Sequence, residues 1–144
     1  MLLDDAQTAL SDLLEMLHES LDDYQDNLQR LHNPTIAQAF NDAMNERTVL
    51  VNVLEQSAKT VLSLRPRAAD TEREDFHYLW SKLKSLVIDE QELMLQERAE
   101  QERQLISLIA RCESYDYPEA IEQQLKVLHQ HLKNQLSQIK LFQA

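Results

Sequence analysis

The stretch LHNPTIAQAFNDAMNERTVL, residues 31–50, decides the fold because it sets an Asn-Pro pair in front of an amphipathic helical pattern. Proline cannot continue a preceding helix, and it suits the first turn of the next one. We expect Asn33 to end the first helix in the left-handed conformation, which asparagine tolerates. The apolar residues after Pro34 recur at helical spacing: Ile36, Phe40, Ala43 and Leu50. The stretch therefore predicts a sharp corner between two helices.

The residues on either side of this corner extend both helices. The first helix is predicted over residues 3–32, and the second to about Leu64, with a break at Arg65-Pro66-Arg67. Apolar residues three and four apart form the seam of the first helix: Leu10, Leu14, Leu17, Leu21, Tyr24, Leu28 and Leu31. Such a seam is typical of a helix packed against others.

The second half of the chain repeats the pattern. A capping box at Thr71–Glu74 opens a helical segment near residues 72–86, and Asp89 is the expected N-cap of a new helix. Residues 114–118 predict the last turn. The final seam is Ile121, Leu125, Leu128, Leu132, Leu136, Ile139 and Phe142. We predict a single all-α domain over residues 1–144, an up-down-up-down four-helix bundle with an extra segment near residues 72–86.

Composition excludes several classes of protein. The 144 residues include no glycine, so a glycine-rich nucleotide loop cannot form. A net charge of −11 disfavours nucleic acid and anionic membrane surfaces as partners. Cys112 is the one cysteine, and the start MLLDDAQ has no signal-peptide pattern, so we expect a cytoplasmic protein. The sequence has no apolar run near the roughly 20 residues of a membrane span.

Charge is unevenly distributed along the chain. Residues 1–32 carry eight acids and one base, whereas Lys126, Lys133 and Lys140 lie in the last helix. We expect the first and last helices to be neighbours, with weak surface ion pairs between them. The acidic face of the first helix has two interpretations, a solvated surface or a docking surface for a basic partner.

Five segments carry a resemblance to a known family: LSDLLEMLHESLDDYQDNL, IAQAFNDAMNERTVLVNVLEQ after the Asn-Pro corner, FHYLWSKLKSLV, ELMLQERAEQERQLISLIARC and YPEAIEQQLKVLHQHLKNQLSQIKLF. Over nearly its whole length the chain resembles uncharacterised bacterial four-helix-bundle proteins of the ferritin-like superfamily, relatives of rubrerythrin in fold. The resemblance implies the bundle fold and leaves the function open.

A ferritin-like dimetal centre needs one Glu from each of two helices and a Glu-x-x-His pair from each of the other two. The two literal Glu-x-x-His strings, Glu15/His18 and Glu74/His77, are mismatched in height along the bundle. Glu46 fits the pattern better, but Val49 replaces the histidine. Further carboxylate candidates are Glu92 and Glu102, while His129 and His131 are expected to point away from the centre. The sequence favours no metal site and no cofactor, and iron is the alternative.

Polar side chains also fall on seam positions. Arg47 lies on the seam of the second helix, where an unpaired charge would be costly, so its guanidinium must either reach outward to water or meet a carboxylate. We predict an interhelical pair with Glu102 or with an aspartate. Tyr24 and Gln135 are expected to place polar tips in the same core. The predicted interior polar cluster is therefore Tyr24, Arg47, Glu102 and Gln135.

The sequence favours a non-catalytic bundle that acts as a stress-associated or regulatory protein-interaction module. The expected partners are an unknown protein or a second copy, with a homodimer preferred. One alternative is a degenerate ferritin-like protein that stores or oxidises iron. Another is a small acidic export chaperone, which would need an exposed apolar groove for a partner helix.

Overall fold

The computed structural model describes residues 4–63 and 89–144. Within these ranges the chain forms helices α1 (Asp5–Arg30), α2 (Pro34–Leu62), α3 (Glu90–Glu113) and α4 (Glu119–Gln143), and no strand. The predicted all-α class is confirmed. Within the same ranges, no helix is long and apolar enough to cross a membrane. The predicted break at residues 65–67, the capping box at Thr71 and the segment near residues 72–86 lie outside the described residues.

The corner between α1 and α2 forms where the sequence predicts it, but Asn33 has a different role. Its φ of −77° is not left-handed, and its side-chain oxygen accepts hydrogen bonds from the amides of Thr35 and Ile36, at 2.9 and 3.1 Å. The prediction of a left-handed cap was wrong because a residue before proline is held in extended backbone. Asn33 therefore begins α2 as its N-cap instead of ending α1.

The other helix ends also have identifiable causes. Asp4 and Gln7 form a capping box at the start of α1. Asp89 caps α3, as predicted, by accepting a hydrogen bond from the Gln91 amide at 3.0 Å. Ser63 ends α2 with a φ of 53°, a left-handed conformation that glycine would adopt at lower cost, but the chain contains no glycine.

Side-chain contacts fix the direction of α1 relative to its neighbours. Gln7, near the start of α1, donates a hydrogen bond to the carbonyl of Leu62 at the end of α2. Arg30, at the end of α1, lies 3.5 Å from Glu90 at the start of α3. Helices α2 and α3 therefore both run antiparallel to α1, and so run in the same direction as each other.

The four helices form a square in which α1 and α4 lie on one diagonal. Helix α1 packs against α2 and α3, and α4 packs against the same two helices. The predicted up-down-up-down order was wrong, since the described helices run up-down-down-up. The expected contact between the first and last helices was wrong as well. Strict alternation would require α3 to run antiparallel to α2, whereas both run antiparallel to α1. Helix α4 runs antiparallel to α2, because Gln124 lies beside Ser57 and His131 beside Glu46.

The core consists of two apolar clusters separated by polar side chains. The larger cluster surrounds Leu13, Leu54 and Ile109, and the smaller one surrounds Phe40 and Ala99. Between them, each helix contributes buried polar residues at the same height: Ser20 and Tyr24 from α1, Arg47 from α2, Glu102 from α3 and His131 from α4. The bundle thus has a polar layer near its middle.

The acidic face of α1 is not a uniformly solvated surface. Glu15, Glu19 and Asp23 are buried, and Asp12 lies 2.8 Å from Arg111 of α3. The interpretation as a purely solvated face was therefore wrong. A helix that packs against two neighbours buries a face wider than a single apolar seam. The apolar seam in the sequence therefore underestimates the width of the buried face of α1.

The N-cap at Asn33 yields a stability prediction. Asn33→Ala should lower the free energy of unfolding by about 1 kcal/mol, because two amides of the first turn of α2 lose their acceptor. Urea denaturation measures the change, and Asn45→Ala, at an exposed position inside α2, is the matched control. Equal effects of the two substitutions would contradict the capping role.

Candidate functional site

The candidate functional site is the buried polar cluster formed by Ser20, Tyr24, Arg47, Glu102 and His131. Arg47 sits at its centre because it occupies a core position of α2, one turn from Ala43 and one turn from Val51. Its side chain is fully buried. A long side chain at such a position reaches across the core, and its charged head must find partners there.

The guanidinium of Arg47 donates hydrogen bonds to all three other helices. Nη1 and Nη2 donate to the two carboxylate oxygens of Glu102 on α3, at 2.9 and 2.5 Å. Nη1 also donates to Ser20 Oγ on α1, and Nε donates to His131 Nε2 on α4, both at 3.0 Å. Arg47 therefore joins the four helices at one point, with a bidentate ion pair to a carboxylate that is also fully buried.

Tyr24 closes one side of the cluster. Its hydroxyl lies 3.4 Å from Glu102 Oε1, to which it donates a long hydrogen bond. The guanidinium carbons of Arg47 and Arg98 each lie 4.9 Å from the centre of its ring, within the range of cation–π attraction. Phe40 packs edge-to-face against the same ring at 5.2 Å.

A second polar group adjoins the cluster on α1 and α3. Gln101 donates a hydrogen bond to Asp23 Oδ2 at 2.7 Å, and Arg98 lies 3.7 Å from the same oxygen. Arg98 is fully buried. Among the described residues, the carboxylate of Asp23 and the ring of Tyr24 lie close enough to compensate the positive charge of its guanidinium. Each of the two buried arginines therefore lies beside a buried carboxylate, Arg47 beside Glu102 and Arg98 beside Asp23.

Burial and charge set the protonation states in the cluster. Burial lowers the pKa of Arg47, but the charge of Glu102, the neighbouring Tyr24 and the hydrogen bonds with both together outweigh burial, and the pKa is raised above its ordinary value. Burial and the neighbouring Glu102 carboxylate raise the pKa of the Tyr24 hydroxyl, so it stays protonated. Burial and then the charge of Arg47 lower the pKa of His131, although Glu46 partly opposes them.

Hydrogen bonding agrees with a neutral His131. Because Arg47 Nε donates to it, His131 Nε2 must be an acceptor, which places the ring proton on Nδ1. Nδ1 lies 3.1 Å from Glu46 Oε1, although the angle is not that of a hydrogen bond. A second proton on this ring would remove the bond from Arg47 and set two positive charges side by side.

The structure brings together three of the four residues predicted for the interior polar cluster, namely Tyr24, Arg47 and Glu102. Gln135 is half-buried and makes no hydrogen bond to them within residues 4–63 and 89–144. His131 takes the place that the sequence assigned to Gln135, and the expectation that His131 points away from the centre was wrong. Its position beside Leu132 is buried because α4 packs against both α2 and α3.

The metal-ligand candidates do not converge. Glu46 and Glu92 are exposed, and both oxygens of Glu102 already accept from Arg47. His18 contacts Glu55 of α2, so the Glu15/His18 string does not point to a common centre, and Glu74/His77 lies outside the described residues. The part of the chain that the structure describes holds no group of three or more His, Cys, Asp or Glu side chains arranged to bind a metal.

Cys112 offers no nucleophilic site. It is fully buried in the larger apolar cluster, and burial raises the pKa of its thiol to about 11. The thiol is therefore protonated at neutral pH, and the thiolate is the reactive form. Cys112 contributes to the core as a small apolar residue.

Comparisons of the chain with protein-family models, with curated proteins and with solved structures give no match.

The central position of Arg47 yields a second stability prediction. Arg47→Met should lower the free energy of unfolding by about 3–5 kcal/mol, because it leaves the buried carboxylate of Glu102 without a counterion. The double variant Arg47→Met/Glu102→Leu should recover most of this loss, since no charge is then left unpaired. Urea denaturation measures both effects.

The matched control is Arg103→Met, which removes an exposed arginine paired with Glu100 on the same helix. Its effect should stay under about 1 kcal/mol, as for other surface ion pairs. An Arg47→Met variant as stable as Arg103→Met would show that the buried pair does not hold the bundle together.

The neutral state of His131 yields a pH prediction. The pKa of His131 is lowered in the folded protein, so below about pH 6.5 the unfolded chain binds a proton that the folded chain does not. Stability should therefore fall as the pH falls, by up to about 1.4 kcal/mol per pH unit from this residue. Urea denaturation at pH 7.5 and 5.5 should show a smaller loss in His131→Gln than in the wild type.

His32→Gln, at an exposed histidine, is the control and should follow the wild-type pH dependence. Parallel pH dependences for all three proteins would contradict a neutral, buried His131.

Proposed function

We propose that this protein is a ferritin-like helical bundle that does not use metal chemistry and acts as a protein-interaction module. The observation that carries the proposal is the guanidinium of Arg47 at the centre of the bundle, bonded to both oxygens of Glu102 and to His131. The carboxylate of Glu102 and the imidazole of His131 are the kinds of side chain that a metal centre at this height would use as ligands.

The order of the helices supports the ferritin-like part of the proposal. Ferritin-like bundles have one long crossover connection, so their helices do not alternate strictly, and the described helices run up-down-down-up with α2 and α3 on a diagonal. In such bundles the metal ligands project inward from all four helices near the middle. The polar layer of this chain lies at a corresponding height, between the two apolar clusters.

The residues of this layer do not fit a dimetal centre. Two metal ions need several free carboxylates to neutralise them, whereas both oxygens of Glu102 accept from Arg47, and Asp23 accepts from Gln101 and lies 3.7 Å from Arg98. A metal ion beside Glu102 would have to displace the guanidinium and would then face its positive charge in a low-dielectric core. The guanidinium of Arg47 supplies the positive charge that a bound metal ion would supply in a dimetal protein.

A core of this kind leaves the surface as the functional part of the molecule. The net charge of −11 keeps the chain away from nucleic acid and from anionic membranes, so proteins are the favoured partners. A stress-associated or regulatory role is the sequence-based prediction that fits such a module.

Iron loading tests the proposal. Anaerobic reconstitution with Fe(II) followed by gel filtration should leave the wild type with no more iron than Glu46→Ala or the control Asp42→Ala. Both substitutions remove exposed carboxylates and should leave the fold intact. Elemental analysis and circular dichroism are the readouts.

A wild type that retains about two irons per chain, as a two-metal site requires, would contradict the proposal, and loss of that iron in Glu46→Ala would establish the dimetal alternative.

A further inference from the structure

His131 is the titratable residue that joins α4 to the polar layer. It is 2% exposed, and its Nε2 accepts a hydrogen bond from Nε of Arg47 at 3.0 Å. Among residues 4–63 and 89–144, this is the hydrogen bond through which the polar layer holds α4, since Arg47 directs its other donors to α1 and α3. The attachment of α4 to the layer therefore depends on an unprotonated nitrogen.

The charged groups that surround His131 come from the two helices that pack against α4. Helix α2 supplies Arg47 and Glu46, and α3 supplies Glu102. Burial and then the charge of Arg47 lower the pKa of His131, while the two carboxylates oppose this shift. Tyr24 of α1 borders the same layer, and its raised hydroxyl pKa keeps it neutral. His131 is the residue of this set whose ordinary pKa lies between pH 5 and 8.

The geometry around the ring opposes a second proton on one side and accommodates it on the other. A proton on Nε2 would point at the Nε–H group of Arg47, so two donors would face each other at 3.0 Å. Arginine does not lose its proton in proteins, so only a movement of the histidine relieves this contact. On the other side, Nδ1 lies 3.1 Å from Oε1 of Glu46, whose side chain is 56% exposed and remains in contact with water.

We infer that His131 is a pH switch that exchanges Arg47 for Glu46 when it is protonated, and thereby releases the middle of α4 from the polar layer. A proton from solvent binds Nε2, the bond from Arg47 breaks, and Nδ1–H turns to donate to the carboxylate of Glu46. The ion pair of Arg47 with Glu102 is untouched by this step, so α1, α2 and α3 stay joined. The inference goes beyond the proposed function, because it concerns contacts inside the bundle and holds whatever its surface binds.

The direction of the pH dependence follows from the two protonation states. The released form binds a proton that the attached form does not, so acid favours release. The effect begins near pH 6.5, the ordinary pKa of histidine, and grows by up to about tenfold per pH unit below it. Leu128 and Leu132, on either side of His131, belong to the larger apolar cluster and resist complete detachment of the helix. Release is therefore a local opening of α4.

Native-state hydrogen exchange of the full chain tests the release. Amides of α4 near His131 should lose up to about tenfold of their protection between pH 7.5 and 5.5, after correction for the intrinsic exchange rate. At pH 5.5 their exchange should be nearly independent of low urea concentrations, because a local opening exposes little surface. Amides near Leu13 of α1, in the apolar core, should stay better protected and should respond to urea as global unfolding does.

Two variants separate the switch from a general effect of acid. His131→Gln keeps an acceptor for Arg47 but takes up no proton, so the protection of α4 should not change through this residue between the two pH values. His129→Gln is the matched control, because it removes a half-buried histidine of the same helix that pairs with Glu113 of α3. It should respond to pH as the wild type does.

A third variant tests the new partner. Glu46→Gln removes the carboxylate that receives the imidazolium, at an exposed position that should leave the fold intact. The pKa of His131, followed by ¹⁵N NMR of its ring nitrogens, should fall in this variant, and release should move to lower pH.

Four results would overturn the inference. In the wild type, these would be equal protection of α4 at both pH values, or α4 amides that respond to urea as those near Leu13 do, since only global unfolding would then occur. A His131→Gln variant with the wild-type pH response would remove His131 from the switch. A Glu46→Gln variant in which His131 titrates as in the wild type would rule out the exchange of partners. None of these results depends on iron, so failure of the switch is distinguishable from failure of the proposed function.

Discussion

The bidentate ion pair between Arg47 and Glu102 is the interaction on which the rest of this bundle depends. It joins α2 to α3, which lie diagonally opposite each other in the bundle. The same guanidinium also donates hydrogen bonds to α1 and α4. Removing two charges from water costs several kcal/mol each, so the pair stabilises the fold only because nearly all of its hydrogen-bonding groups are satisfied. Ser20, Tyr24 and His131 supply the additional partners that make this possible.

A polar layer of this kind specifies structure more than it adds stability. The apolar clusters above and below it consist largely of leucine, alanine and isoleucine, which could pack in several registers. Displacing one helix by a turn would separate Arg47 from its partners and bury an unpaired charge. We therefore interpret the layer as the element that fixes the heights of four amphipathic helices.

Local features of this structure could be predicted from the sequence, and long-range ones could not. Helix formation, the corner at Pro34, the Asp89 cap and the contact between Arg47 and Glu102 all follow from spacing and from the cost of an unpaired charge. The position of His131 could not be predicted, because it depends on which helices flank α4. That arrangement is a matter of packing between helices, which the periodicity within a single helix does not encode. Asn33 was misassigned because cap preferences at two adjacent helix ends compete for one residue.

The central claim is that the guanidinium of Arg47 is held permanently in the core by Glu102. Hydrogen exchange of arginine side chains, followed by ¹⁵N NMR, tests it most directly, with signals assigned by the variants Arg47→Met and Arg103→Met. We expect the Nε and Nη protons of Arg47 to exchange as slowly as core backbone amides, and those of Arg103 to exchange rapidly. Rapid exchange at Arg47 in the folded protein would contradict a buried, fully paired guanidinium and with it the interpretation of the polar layer.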